Sequence, residues 1–167
     1  MTNRMSFSLG AAVCALLLGF GYFLQYVQNL QPCPLCLVQR GFFAGVMVVF
    51  AVAAVHGPRR VGTALYSALA VLFSLGGAAT ATRQVWLQSL PPEKVPACGP
   101  DLAYMLKNFP LMRTLEKLFT ATGECAVVDW TFLGLSIAGW SLVWFAIFCV
   151  YAAWLAVRAL RTPAAAS

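Results

Sequence analysis

Four of the six cysteines in this chain lie in or beside short polar segments, whereas most of the remaining sequence consists of long apolar runs. These four are Cys33, Cys36, Cys98 and Cys125, and the first two form a C-x-x-C. The other two, Cys14 and Cys149, fall inside apolar runs, where a thiol packs as a small apolar side chain. We therefore expect thiol chemistry at the four cysteines of the polar segments.

The spacing of these cysteines argues against a zinc site. Zinc usually takes closely spaced ligand pairs, but 26 residues separate Cys98 from Cys125, and the sole histidine, His56, lies in neither segment. Two other possibilities remain open, because four cysteines in an oxidising compartment form either two structural disulfides or an exchanging redox relay.

The C-x-x-C stands in the segment Gln31–Arg40, where Pro32 and Pro34 flank Cys33 at the end of a turn. This pattern predicts that Cys36 lies at a helix N-terminus, where free amide groups and the helix dipole stabilise a thiolate. Arg40 follows four residues later on the same helical face. Its guanidinium is suited to neutralise a thiolate or hold a polar head group. The alternative is that Arg40 only anchors the helix at a membrane surface.

The elements that must position these residues are membrane-spanning helices. The chain is 61% hydrophobic and only 10% charged, well outside the range of soluble domains. Four runs reach the roughly 20 residues needed to cross a bilayer. They span residues 7–27, 37–55, 61–87 and 132–157. The first lacks a cleavage site before a polar mature chain, so we expect it to be retained. The predicted fold is an all-α integral membrane protein, a four-helix bundle over residues 1–167.

The charges predict the orientation of this bundle. All five acidic residues lie in the polar stretch 88–131, whereas the N-terminus, the second connection and the C-terminus carry only arginines. The positive-inside rule therefore places both termini in the cytoplasm and the loops 28–36 and 88–131 outside. The net charge of +6 is mostly this orientation signal. No basic patch interleaved with aromatic residues is present, so nucleic-acid binding is not expected.

The long loop is predicted to contain short amphipathic helices lying on the membrane surface. Their apolar residues, at helical spacing, are Leu102, Met105, Leu106, Phe109, Leu111, Leu115, Leu118 and Phe119. Such helices would hold Cys98 and Cys125 near the membrane plane.

The end of the third span is level with the C-x-x-C and is a candidate wall for a head-group site. It carries Arg83, Gln84, Trp86 and Gln88. Arg83 and Trp86 are the candidates there for direct contact with a bound cofactor. An interfacial tryptophan and a snorkelling arginine are also ordinary at this depth.

These residues together resemble the disulfide bond formation protein B (DsbB) family. The resemblance rests on Q-P-C-P-L-C-x-x-x-R at residues 31–40, the lone Cys98, Gly123-Glu124-Cys125, and Trp130-Thr131-Phe132-Leu133-Gly134-Leu135. It covers nearly the whole chain, including the four-helix topology and both cysteine pairs.

The resemblance implies a quinone-dependent thiol oxidase of the bacterial inner membrane that reoxidises DsbA, a thioredoxin-like dithiol oxidase. It implies that Cys98 and Cys125 form one disulfide, that Cys98 meets the partner, and that Cys125 attacks Cys33. Cys36 is then released beside ubiquinone or menaquinone, with Arg40 supporting quinone and thiolate. Two alternatives remain, namely an accessory enzyme with a dedicated thioredoxin-like partner, and a membrane scaffold with structural disulfides.

Overall fold

Four long helices build the part of the chain that the structure describes. The computed structural model describes residues 3–95, 107–108, 110, 112, 123–128 and 130–161. The helices are α1 (Asn3–Tyr26), α2 (Pro34–His56), α3 (Arg60–Gln88) and α4 (Ile137–Arg161). Each is long and apolar enough to cross a membrane, as the sequence predicted. Cys98 and most of the predicted amphipathic segment 102–119 lie outside the described residues.

The two ends of the helix bundle are named after the residues that mark them. We call the cysteine end the one where α1 and α3 finish and where α2 and α4 begin. We call the arginine end the opposite one, where α1 begins, α2 is joined to α3 and α4 finishes. Along the bundle, α1 packs on α2, α2 on α3, and α3 on α4.

Local sequence explains where α2 begins and ends. Cys33 is its N-cap in extended conformation, and Pro34 occupies the first helical position, where the missing N–H of proline costs nothing. At the other end Gly57 adopts a left-handed φ of 60° and donates its N–H to the carbonyl oxygen of Ala53. Pro58 then prevents continuation of the helix.

Small residues let α3 and α4 pack closely. A seam of buried residues runs along α3 at alternating spacings of four and three, consisting of Thr63, Ser67, Ala70, Ser74, Gly77, Ala81 and Gln84. The ring of Phe145 lies so close to Gly77 that a Cβ there would meet ring carbons at 2.2 Å. Phe145 in turn stacks on Phe43 of α2, with ring centroids 4.0 Å apart. Association of membrane helices depends on such close van der Waals contact.

The predicted start of the fourth helix at residue 132 is wrong, because a β-hairpin precedes α4. Strands β1 (Thr131–Phe132) and β2 (Leu135–Ser136) pair antiparallel, and Leu133 and Gly134 form the turn with φ of 52° and 79°. Ser136 Oγ accepts the N–H of Gly139 at 3.2 Å. This contact caps the helix and fixes its start at Ile137.

Candidate functional site

The C-x-x-C lies at the first turn of α2. The Sγ atoms of Cys33 and Cys36 are hydrogen-bonded at 2.8 Å, so only a short approach separates them from the S–S bond length of about 2.05 Å. The backbone N–H of Cys36 donates to Cys33 Sγ at 3.4 Å. The sulfur that caps the helix is therefore that of Cys33, whereas Cys36 is the third helical residue. The sequence predicted that the helix N-terminus stabilises a thiolate on Cys36, but the sulfur that accepts the N–H bond there is that of Cys33.

Two buried glutamines support the cysteine pair from inside the bundle. Gln84 of α3 directs its side-chain N–H groups at Cys33 Sγ, 3.3 Å away, and at Cys36 Sγ, 3.2 Å away. Gln39 donates to Gln84 Oε1 at 2.7 Å, which orients the Gln84 amide with its nitrogen toward the sulfurs. Both glutamines are 3% exposed. Because hydrogen bonds to ionised groups are stronger than neutral ones, this amide favours whichever sulfur carries the thiolate.

Cys125 is packed against the same cysteine pair. It lies in a 3₁₀ helix, Gly123–Ala126, and is fully buried between Leu35 of α2 and Leu87 of α3, with Cys33 in contact with this cluster. The resemblance placed Cys125 as the sulfur that attacks Cys33. The tertiary structure brings these two residues together although 91 residues separate them in sequence.

This packing changes the acidity of Cys33. The hydrogen bond with Cys125 favours the protonated form of Cys33, and burial acts in the same direction. The Cys36 thiol and backbone N–H oppose this effect. The net result raises the pKa of the Cys33 thiol from 9.0 to about 12. In its reduced form Cys33 therefore remains a thiol at neutral pH, which is a poor nucleophile.

Arg40 lies one turn beyond Cys36 and reaches across to α1. Its guanidinium donates to Gly21 O at 2.9 Å and to Gln25 Oε1, and it lies 5.1 Å from the ring centroid of Tyr22. These three partners are neutral, so they position the guanidinium without cancelling its charge. Arg40 is half-buried and faces a cavity rather than bulk solvent.

A cavity of about 720 Å³ opens beside the cysteines at the cysteine end. Its polar patch contains Cys33, Cys36, Gln39, Arg40 and Gln84. Its walls are mainly apolar and aromatic, and they include Leu17, Phe20, Leu24, Trp130, Phe132, Ile137, Trp140 and Trp144. An apolar cleft of this size with a few convergent polar groups is the usual form of a small-molecule site.

Of the four residues at the end of α3 that were predicted to form a wall of a head-group site, two line the cavity and two do not. Gln84 and Gln88 line the cavity, whereas Arg83 and Trp86 do not. The guanidinium of Arg83 lies 4.6 Å from the Trp86 ring centroid, and Trp86 is 49% exposed. The two faces follow from helical periodicity, since residues 84 and 88 are four apart and share a face. A direct cofactor contact by Arg83 or Trp86 stays a prediction.

Sequence patterns gave no role to Gln39, and they placed Gln84 in the candidate wall of a head-group site but not in contact with the cysteines. The sequence does contain a signal for both residues, because each is an uncharged amide inside a membrane-spanning run. Such a side chain is costly there unless it has a hydrogen-bond partner. Gln39 lies three residues after Cys36 and Gln84 lies three after Ala81 of the α3 seam. Both positions therefore face the bundle interior.

Comparison with known proteins agrees with this geometry. A family model described as Disulfide bond formation protein DsbB matches residues 3–155. Disulfide bond formation protein B of Hahella chejuensis is 52% identical over 96% of this chain and 98% of its own length. The proteins of the same name from Azoarcus sp. and Nitrosococcus oceani are 49% and 48% identical, covering 86% and 92% of this chain and 86% and 91% of their own lengths. The chain therefore belongs to the DsbB family of disulfide-forming membrane oxidoreductases.

Proposed function

We propose that this protein reoxidises a periplasmic DsbA-like dithiol oxidase and passes the electrons to a membrane quinone. The observation that carries the proposal is that Cys33, Cys36 and Arg40 line one cavity, while the buried Cys125 packs against Cys33. In this proposal the arginine end and both termini are cytoplasmic, and the cysteine end faces the periplasm of a bacterial inner membrane. The charge distribution supports that orientation.

The proposed relay is a sequence of thiol–disulfide exchanges. Cys98, paired with Cys125 in the resting enzyme, forms a mixed disulfide with the reduced partner and releases Cys125 as a thiolate. Cys125 attacks Cys33 Sγ, forming a Cys125–Cys33 bond and breaking the Cys33–Cys36 bond. Cys36 leaves as a thiolate. The second thiol of the partner then attacks the mixed disulfide, which releases the oxidised partner and the Cys98 thiolate. Cys98 attacks Cys125 Sγ, which restores the Cys98–Cys125 disulfide and leaves Cys33 and Cys36 as the reduced pair. The contact between Cys125 and Cys33 supports this order, because attack requires the two sulfurs to meet.

The side chains around Cys36 favour its role as leaving group. The N–H groups of Gln84 donate to its sulfur at 3.2 Å, and the cation of Arg40 shares its cavity. The Gln84 hydrogen bond stabilises negative charge on the Cys36 sulfur. A leaving thiol departs faster when its thiolate is stabilised.

The cavity residues fit a quinone, either ubiquinone or menaquinone, as the exchangeable electron acceptor. Arg40, Gln39 and Gln84 would hold the head group, and the apolar walls would hold the tail. The quinone supplies a two-electron acceptor, so one partner dithiol and one quinone give one disulfide and one quinol. Such an acceptor is needed because DsbA is itself a strong oxidant at about −120 mV, and each 30 mV uphill costs about 1.4 kcal/mol for two electrons.

Purified protein, mixed with reduced DsbA and a soluble quinone, tests the proposal. We expect quinone reduction and DsbA oxidation in a one-to-one ratio. The Cys98→Ala variant should lose DsbA oxidation while its Cys33–Cys36 pair is still reoxidised by added quinone. An enzyme with a dedicated partner would turn over with a small dithiol but not with DsbA. Absence of quinone reduction with every thiol would instead identify a scaffold with structural disulfides.

A further inference from the structure

The hairpin between Trp130 and Ser136 is held firmly at its base. Trp130 packs edge-on against Phe20 of α1, with centroids 6.2 Å apart. Ser136 Oγ donates to Gln88 Oε1 of α3 at 2.7 Å. Trp140 Nε1 of α4 donates to the carbonyl oxygen of Phe132 at 3.0 Å. Three helices therefore contact the base, whereas the tip is exposed: Leu133 is largely solvent-accessible, and a Cβ at Gly134 would meet nothing within 4 Å.

The residue at this tip is unexpected for its conformation. Leu133 has a φ of 52°, which is unfavourable for a bulky side chain, and the two-residue turn with positive φ at both positions normally takes Asn-Gly. The same chain uses an asparagine, Asn29, where φ is 54° between α1 and α2. At the hairpin tip it instead carries an apolar leucine that is 79% exposed.

The surroundings of the tip indicate what covers this leucine. No charged residue occurs between Trp130 and Val157, so the hairpin belongs to the same uncharged run as α4. A membrane-spanning helix turns its exposed apolar side chains to lipid, and on α4 the large ones are Val143, Ile147, Val150, Trp154, Val157 and Leu160. The hairpin continues this surface at the cysteine end, and two tryptophans, Trp130 and Trp140, lie at its base as in an interfacial aromatic belt.

We propose that the hairpin is a membrane anchor whose tip inserts Leu133 into the lipid leaflet at the cysteine end. Each strand is only two residues long, so the ladder pairs few backbone groups, and hydrocarbon does not tolerate unpaired ones. The hairpin therefore lies at the boundary between head groups and acyl chains, and only the leucine reaches the chains. Since Trp130 and Phe132 also line the cavity, the anchor fixes one wall of the cavity against the bilayer.

Photo-crosslinking tests the anchor without requiring turnover, so its outcome is independent of the proposed function. A benzoylphenylalanine is placed at position 133 of the full chain, which is reconstituted in nanodiscs of phosphatidylethanolamine and phosphatidylglycerol and irradiated with reduced DsbA present. Position 150 serves as the lipid-facing control and position 93, an exposed acidic residue, as the water-facing control. We expect lipid adducts at 133 in a yield matching 150. A yield as low as that at 93, or crosslinking of position 133 to DsbA, would overturn the proposal.

A stability measurement on simple variants gives a second test. Leu133→Asn supplies the residue that the turn prefers, so a water-facing tip predicts a higher Tm. A lipid-facing tip predicts a lower Tm in nanodiscs, because the contact with acyl chains is lost. Leu133→Phe keeps the apolar contact and should leave Tm near that of the parent protein. A rise in Tm for Leu133→Asn would contradict the anchor.

Discussion

Replacing Gln84 by leucine removes a side chain that donates to both sulfurs of the C-x-x-C. The amide nitrogen lies 3.2 Å from Cys36 Sγ and 3.3 Å from Cys33 Sγ. Only one of these sulfurs is a thiolate in any step, so the variant loses the energy of one hydrogen bond to an ionised group. A hydrogen bond to an ionised group contributes about 1.5–3 kcal/mol. At 1.36 kcal/mol for each factor of ten, we expect the rate of quinone reduction by the reduced enzyme to fall about 10- to 150-fold.

The same substitution also affects stability, and the two effects can be separated. Leucine at position 84 leaves the buried amide of Gln39 without its acceptor, which costs about 1–3 kcal/mol. The double variant Gln39→Leu/Gln84→Leu removes both amides, so we expect its Tm to recover. Its rate should stay low, because the donor to the thiolate is still missing. Stability and rate therefore respond differently to the second substitution.

Single-turnover stopped-flow measurement of quinone reduction by the prereduced enzyme reads the relevant step directly. Gln88→Leu is the matched control, because Gln88 lines the same cavity but accepts a hydrogen bond from Ser136 Oγ instead of donating one to a sulfur. We expect this control to react nearly as fast as the parent enzyme. A Gln84→Leu rate within about twofold of the parent, less than about 0.5 kcal/mol, would refute the role of Gln84. Equal slowing by Gln88→Leu would refute it too.

Three further predictions concern other parts of the fold. Removing the hydrogen bond that raises the pKa of Cys33, by Cys125→Ala, should lower that pKa from about 12 toward 9.0. Iodoacetamide labelling of Cys33 in the reduced protein, followed by peptide mass mapping, should then be faster between pH 8 and pH 10 by about tenfold or more; unchanged labelling would contradict the assigned cause. Arg40→Ala should raise the apparent quinone KM more than the KM for DsbA, with partial recovery in Arg40→Lys; an unchanged quinone KM would favour a purely anchoring role. Gly77→Ala should overpack against Phe145, which lowers the unfolding free energy by about 1–3 kcal/mol and lowers Tm with it. The control Gly19→Ala, whose Cβ meets nothing within 4 Å, should leave Tm unchanged or slightly higher. Equal changes of Tm in the two variants would show that the Phe145 contact is unimportant.

The fold was predictable because the bilayer constrains it strongly. A membrane-spanning helix must satisfy its own backbone and cover about 30 Å of hydrocarbon, so apolar run length indicates each helix. The same argument failed at residues 132–136, since an uncharged apolar run does not distinguish a helix from a hairpin. There Gly134 in a left-handed turn and the cap at Ser136 decide the outcome.

The sequence by itself determined the number of helices, the place of the C-x-x-C at a helix start, the position of Arg40 one turn later, and the resemblance to the DsbB family. These features depend on short-range spacing, which a linear pattern preserves. Only the tertiary structure decided that Cys125 packs on Cys33, that Gln84 rather than Arg83 faces the cysteines, and that α1 and α4 supply the cavity walls. Those features depend on how the helices are rotated and which small residues allow close approach, and helix rotation is set by packing between distant segments.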